Sequence, residues 1–431
     1  MMYKCIEKHM PQAPGWKSTT VVLDDALTEP QTFFYQDPVE LADFLFGNLT
    51  PHNSMLYEPI RVFEADGKTQ VYHEMVSGKL WNEVQCTLPN GVTVMGVVLA
   101  SDETHLTNFS GNKSMHAVYM TLGNISRTVF AMKMEAECMP GILQCQLFHH
   151  CMWIVFESMQ VGHQTIHATI DPEGNIHQCL AVLMAWIADL KEQYNIVGLA
   201  TNSCPQCLAR YKDLEHPYAF PPHTSLWITN EVHHIHEELP ISSTTWQFIS
   251  RAKAVGLCGI KELCWEELGV DICQVICMDN LHGLHKMFKD HMMEWLTKMI
   301  GQLELNCRFT GQPHHIEAQN FDTGADGAQS GVIKAIQVVL DFIYITQFPL
   351  HSDSSLQELQ VALSVFHDNK CIFIVNGACH QDHMNIQKVH ALHHWASNIV
   401  DLGTTDNYCT ETGKTLHILM CKAAYKATNH K

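Results

Sequence analysis

The sequence predicts an α/β protein whose mixed sheet is interrupted by a large, mainly helical insertion. Three observations carry that expectation. Residues 92–100 and 179–188 are nearly continuous apolar runs, each as long as a strand buried on both faces. Beyond Cys204 the texture turns helical, over residues 243–254, 281–301, 329–347 and 355–367. Near the end, Leu416, Leu419, Met420, Ala423 and Ala424 fall on one face of a helix spanning residues 412–426.

Taken in order, residues 15–84 read as a mixed N-terminal region. Turns are expected at Thr50-Pro51-His52-Asn53 and Ala65-Asp66-Gly67. Leu88-Pro89-Asn90-Gly91 reads as a hairpin-type turn into the Val-rich run 92–100, which is followed by Ser101-Asp102. Residues 116–122 and 128–134 are expected as second and third strands. Residues 142–159 are apolar and fit either a core helix or a strand followed by a helix. The run 179–188 ends in Asp189, and residues 190–194 start a helix. Glu411 sits at or just before the first turn of the final helix, where an acid complements the helix dipole.

Composition bounds the function. With 46% apolar and 16% charged residues over 431 positions, the chain is globular and long enough for a large core. No apolar run reaches the roughly 18 residues of a membrane span, and residues 1–16 lack a signal-peptide pattern, so an intracellular protein without a membrane partner is expected. The 17 cysteines show no framework spacing and are expected as free thiols or metal ligands in a reducing compartment. A net charge of −19 weakens any attraction to DNA phosphates. So does the presence of only Arg61, Arg127, Arg210, Arg251 and Arg308, because guanidinium is the best phosphate fork. No phosphate-binding Gly-rich loop with Lys-Ser/Thr and no Gly-x-Ser-x-Gly elbow is present.

Two constellations carry chemistry. Cys204-x-x-Cys207 with His282-x-x-His285 offers two thiols and two imidazoles at short internal spacings, which suits a tetrahedral Zn²⁺. The i, i+3 spacing sets both histidines on one helix face. The alternative is that Cys207 and His285 are core residues. His233-His234-Ile235-His236 beside Glu237-Glu238 is expected in a polar loop. Of His380, His383, His390, His393 and His394, only His390 is expected near the core. Lys286 and Lys289 are expected on a solvated helix face. The aspartates Asp102 and Asp189 at strand ends serve equally as turn or capping residues.

Three stretches resemble the Plavaka-type transposases, fungal DNA transposases of the CACTA-like branch. The first runs Ala100-Ser101-Asp102-Glu103-Thr104-His105-Leu106-Thr107-Asn108-Phe109-Ser110-Gly111, then Lys113, Val118-Tyr119 and Leu122-Gly123-Asn124-Ile125. The second is Ala188-Asp189, Glu192-Gln193 and Cys204-Pro205-Gln206-Cys207. The third is Asp279-Asn280-Leu281-His282-Gly283-Leu284-His285-Lys286 with Phe288-Lys289-Asp290-His291. Phe366-His367, His390 and Thr410-Glu411 add to it. The likeness spans about residues 15 to 430. The chain departs from the family pattern at His116-Ala117 (usually Trp-Pro) and at His177-Gln178 (usually Arg-Arg). Met287 stands where the family has Gly-Val, and Lys414 replaces a Glu.

The resemblance implies an RNase H-like core that cuts DNA and transfers strands at transposon ends with two divalent metals, Mg²⁺ or Mn²⁺. It implies Asp102, Asp189 and Glu411 as the metal-holding, catalytic carboxylates, with Asp279 and Asp406 as rivals for the third place. It also implies a nuclear location, DNA as partner and self-association as a further candidate. The expected division is residues 1–84 flanking region, 85–200 first part of the core, 201–400 helical insertion with the Cys and His motifs, and 401–431 final core helix. The competing expectation is a remnant that keeps the fold without turnover, or a co-opted binding or scaffold protein with a structural zinc.

Overall fold

The structure is a computed structural model that describes residues 13–48, 55–105, 114–125, 130–131, 141–201, 203–240, 242–302, 327–379 and 382–408. It is a mixed α/β protein. The N-terminal region holds the hairpin β1 (Lys17–Val21) and β2 (Gln31–Tyr35), then α1 (Pro38–Phe46). Asp37 caps α1, accepting from the Val39 and Glu40 amides, with Pro38 at the first helical position. Two short strands follow, β3 (Val62–Phe63) and β4 (Gln70–Tyr72), joined through the expected turn at Asp66-Gly67. Then comes α2 (Lys79–Thr87).

The main sheet is built from β5 (Val92–His105), β6 (Ser114–Leu122), β7 (Phe130–Ala131), β8 (His167–Ile170), β9 (Ile176–Ala188) and β10 (Ile276–Met278). Its order is β10-β9-β5-β6-β7, with β8 paired on β9. The pairs β5/β6 and β6/β7 are antiparallel, whereas β5/β9 and β9/β10 are parallel. The two apolar runs of the sequence are therefore adjacent central strands. Val94, Met95, Val97, Val98, Leu183, Met184, Ala185 and Trp186 are all buried, as expected where both faces are covered. A register shift at Val97/Val98, where Met184 is the extra residue, bulges β9.

The further helices are α3 (Gly141–Val155), α4 (Leu190–Val197), α5 (Ser225–Glu238), α6 (Thr245–Val255), α7 (Glu294–Ile300), α8 (Gly327–Thr346), α9 (Asp353–Asn369), α10 (Gln387–His390) and α11 (Trp395–Leu402); α4 packs on the sheet, and α8 and α9 pack on each other. Of the two alternatives for residues 142–159, the helix is the one found. Thr244 opens α6 with a capping box to Gln247. Between β10 and α7 the chain winds with π geometry at Leu281–His285 and Phe288–Met293, and Met287 between them is fully buried. The strand β11 (His351–Ser352) pairs with β4, so the region ahead of the sheet packs on residues far downstream.

Three local expectations are corrected. Leu88-Pro89-Asn90-Gly91 joins helix α2 to β5, not strand to strand; Gly91 supplies the positive φ of +86°. His233, His234 and His236 lie on helix α5, where each imidazole meets a partner: Glu266, Glu238 and the Lys261 carbonyl. β10 lies inside the segment expected to be helical. The turn expected at residues 50–53, Glu411 and residues 412–426 lie outside the described residues.

Asn124 explains one stretch of the resemblance. Fully buried where β6 ends, its side-chain oxygen accepts from Gly96 N and its amide donates to Val94 O and Leu56 O, each at 2.9 Å. It supplies the hydrogen bonds that the ladder no longer provides.

Candidate functional site

Three aspartates fall on neighbouring parallel strands: Asp189 and Asp279 directly follow β9 and β10, whereas Asp102, expected to end β5, lies inside it, three residues before its end. The last paired residues of β5 and β9 are Ala100 and Ile187. Asp102 and Asp189 each lie two residues beyond that last pair. On the other side Met278 pairs with Ala188, so the next step sets Asp279 beside Asp189. Neighbouring strands lie about 4.8 Å apart, and the three backbones are therefore close.

Each aspartate is held differently. Asp189 caps α4, its Oδ1 accepting from Glu192 N at 2.9 Å. Asp279 is fully buried, and His282 engages both its oxygens, N to Oδ1 and Nδ1 to Oδ2, each at 2.5 Å. Asp102 is half-buried and continues β5 opposite Ala117 of β6. The chain returns to this edge at its last described turn, Thr405–Tyr408. Asn280 Nδ2 donates to Thr405 Oγ1 at 3.1 Å, and Thr405 Oγ1 donates to Thr346 O at 3.0 Å. Tyr408 is fully buried there. Asp406 in that turn is exposed.

Behind the row lies a buried ion pair that has no local signature in the sequence. His116 Nε2 meets Glu192 Oε1 at 2.5 Å, and Ser101 Oγ donates to the same oxygen at 3.2 Å. Trp186 Nε1 in turn donates to Ser101. Burial works against the His116 charge, but Glu192 outweighs it and raises the imidazole's pKa. Burial likewise opposes the carboxylate, and His116 with the Ser101 hydroxyl lowers it below the usual range. His116 also stacks on Phe148, ring centres 4.4 Å apart. Pairing residues 116 and 192 required β6 and α4 to meet over β5.

A second cluster collects four possible ligands. Cys204, Cys207, His390 and His394 bring one ligand atom each within 4.8 Å of one another, all buried. Cys204 Sγ lies 3.2 Å from His394 Nε2, and Cys207 Sγ 3.2 Å from His390 Nε2. The Cys-Pro-Gln-Cys turn is folded back by Cys204 N on Ala209 O at 2.9 Å. The histidines are i, i+4, one helical turn apart across α10 and the turn Ala391–His394. The Cys204 thiol, then His390 and His394, favour the Cys207 thiolate, while burial raises Cys204. Bond lengths of about 2.3 Å to sulfur and 2.0–2.1 Å to nitrogen fit a tetrahedron of these four groups.

This corrects the expected ligand set. His282 is committed to Asp279, and His285 lies 3.1 Å from Gln347 Nε2. The expectation that His394 is a surface residue is also overturned, since it is buried. The i, i+4 spacing of His390 and His394 was the available signal. Gln206, inside the Cys turn, donates to Ile276 O at 2.9 Å and to Asn398 Oδ1 at 3.1 Å. The cluster is thereby tied to β10, three residues before Asp279. Lys286 and Lys289 are exposed, as expected.

No helix among the described residues is long and apolar enough to cross a membrane. The family model described as Plavaka transposase matches residues 1–140 and 130–296. No curated protein matches the chain.

Proposed function

The chain belongs to the Plavaka transposase family, and from that premise we propose that its sheet is an RNase H-like core built for metal-dependent DNA cleavage and strand transfer at transposon ends. The observation that carries this reading is the aspartate row on a sheet of that order. Three antiparallel strands come first in the chain, and two parallel strands are then added on the far side of the first.

Asp102 and Asp189 hold two Mg²⁺ or Mn²⁺ ions in this reading, with Glu411 as third carboxylate. Support for Glu411 comes from Thr405–Tyr408, which ends at the carboxylate edge three residues before it; three residues span at most about 11 Å. Asp279 is the weaker third choice because His282 already engages both its oxygens. Held by these carboxylates, such ions would supply Lewis-acid charge stabilisation for an in-line displacement at phosphorus. Water or a 3′-hydroxyl attacks phosphorus as the P–O bond to the departing strand breaks. The nucleophile's proton passes to solvent, and the leaving oxygen keeps the bond's electron pair. DNA is the partner, the nucleus the place of action, and self-association a further expectation.

We assign Zn²⁺ to Cys204, Cys207, His390 and His394 as a structural ion. It would cross-link the Cys turn to the α10 region and, through Gln206, hold β10 in place.

A second reading is a non-catalytic descendant that keeps the fold as a binding or scaffold protein. The net charge of −19 and the five arginines favour it. A DNA nicking assay with Mg²⁺ or Mn²⁺ separates the two. The transposase reading expects nicking by the unaltered chain and its loss in Asp102→Ala. Equal nicking in both, or none in either, rejects it.

A further inference from the structure

We propose that a pocket behind the aspartate row receives one unpaired base of a DNA strand held at that row. The proposal rests on the transposase reading of the row, and it adds a subsite to it.

The cavity measures about 350 Å³, at the small end of ligand pockets, with room for a base and its sugar but not a duplex. β2, α3, α4 and α6 wall it. Phe33 and Phe148 floor it as buried rings already stacked on Tyr35 and His116, and Trp246 on α6, 66% exposed at the rim, offers the open aromatic face. Gln31 and Gln144 add amide donors and acceptors. A flat heteroaromatic ring with hydrogen-bonding edges fits this mixture, because bases stack on aromatic side chains irrespective of sequence.

Charge narrows the ligand further. Both carboxylates of the lining are matched: Glu192 by His116, and Glu103 by Lys191 at 3.8 Å. Lys253 is exposed on the lining and supplies a cation for phosphate. Ser101 and Glu103 share one face of β5, and Asp102 takes the other. Glu103 directly follows Asp102, and Lys191 stands two residues after Asp189. A strand whose phosphate lies at the row can therefore turn its neighbouring base over the sheet edge into the pocket. Extruding a base costs least where it is unpaired.

The test uses the full chain and fluorescence anisotropy. A five-nucleotide thymidine oligonucleotide is compared with an abasic strand of equal length and with free thymidine monophosphate. The expected result is about tenfold tighter binding of the base-bearing strand than of the abasic one. Trp246→Ala, a surface change, should reduce that preference several-fold, whereas Lys253→Glu, also at the surface, should weaken both strands alike. Equal binding of the two strands overturns the proposal. So does an unchanged preference in Trp246→Ala, or binding of the free nucleotide alone. Nicking is scored separately. Base preference without nicking defeats only the catalytic reading, and nicking without base preference defeats only the pocket.

Discussion

The Asn124 side-chain oxygen accepts the Gly96 amide at 2.9 Å across 28 residues of sequence. The same side chain donates to Val94 O and Leu56 O, all of it out of contact with solvent. Asn124→Ala strands these backbone groups in the core, and an unmet buried group costs about 1–3 kcal/mol. A loss of about 3 kcal/mol is expected, read as a fall in the urea midpoint at constant slope. A change below about 0.5 kcal/mol would show that the three bonds do not hold the sheet.

Gly96 also lies directly against Trp81 of α2. A Cβ there would lie 2.3 Å from Trp81 Cζ3 and 3.0 Å from Met184 Cγ. Trp81 is almost fully buried and has little room to withdraw. Gly96→Ala should therefore destabilise by about 1–3 kcal/mol or more. Adding Trp81→Leu should recover part of that loss, because the smaller side chain vacates the space. Additive losses in the double variant would refute the steric explanation.

The four-ligand cluster predicts about one Zn²⁺ per purified chain by elemental analysis. Cys207→Ser and His390→Ala should each remove most of it and lower the melting temperature. His282→Ala should leave the zinc content unchanged, because that ring faces Asp279. Zinc lost from His282→Ala but kept in His390→Ala would reverse the ligand assignment.

Acid should weaken the fold through His149. Its Nε2 donates to Asn195 O at 2.8 Å, and its Nδ1 accepts from Cys264 N at 3.1 Å, so the neutral ring is the one that fits. Burial pushes its pKa down to about 4. The unfolded chain then binds the extra proton near pH 6.5, and stability falls as pH drops from there toward 4. Between pH 7 and pH 5 the loss is about 2 kcal/mol. In His149→Gln that part of the pH slope should vanish; an unchanged slope would place its origin elsewhere.

His116 carries the opposite sign. With its pKa raised, its contribution is present below the unfolded value and is lost as pH climbs through the folded one. Its partner Glu192 has a lowered pKa and loses its contribution as pH falls through that value. The pair is strongest between the two, and His116→Phe should remove the alkaline part of the dependence. A stability profile unaltered on the alkaline side would exclude the ion pair as its source.

Much of the sheet was legible because hydrophobicity is local. Residues 92–100 and 179–188 announced two buried strands, and the polar steps after them located Asp102 and Asp189. The short strand Ile276–Met278 was not legible. Three apolar residues fit a helix as well as a strand, and only the open edge of β9 decided between them. The zinc ligands failed for a related reason. Cys204 and Cys207 were recognisable from their own spacing, but two histidine pairs had suitable spacing, at 282/285 and at 390/394. Asp279 captured the first, and burial against the Cys turn left the second.

The sequence by itself determined the class of the fold, the two central strands, the aspartates that follow their apolar runs, the Cys turn and the family likeness, since each is written in residues close together along the chain. Tertiary structure alone decided which histidines meet the cysteines, that Asp279 joins the row, and that His116 and Glu192 share a proton-binding pair behind it. Those partners lie 76 to 190 residues apart. No local pattern encodes such meetings; they follow from strand register and from which helix faces the core buries.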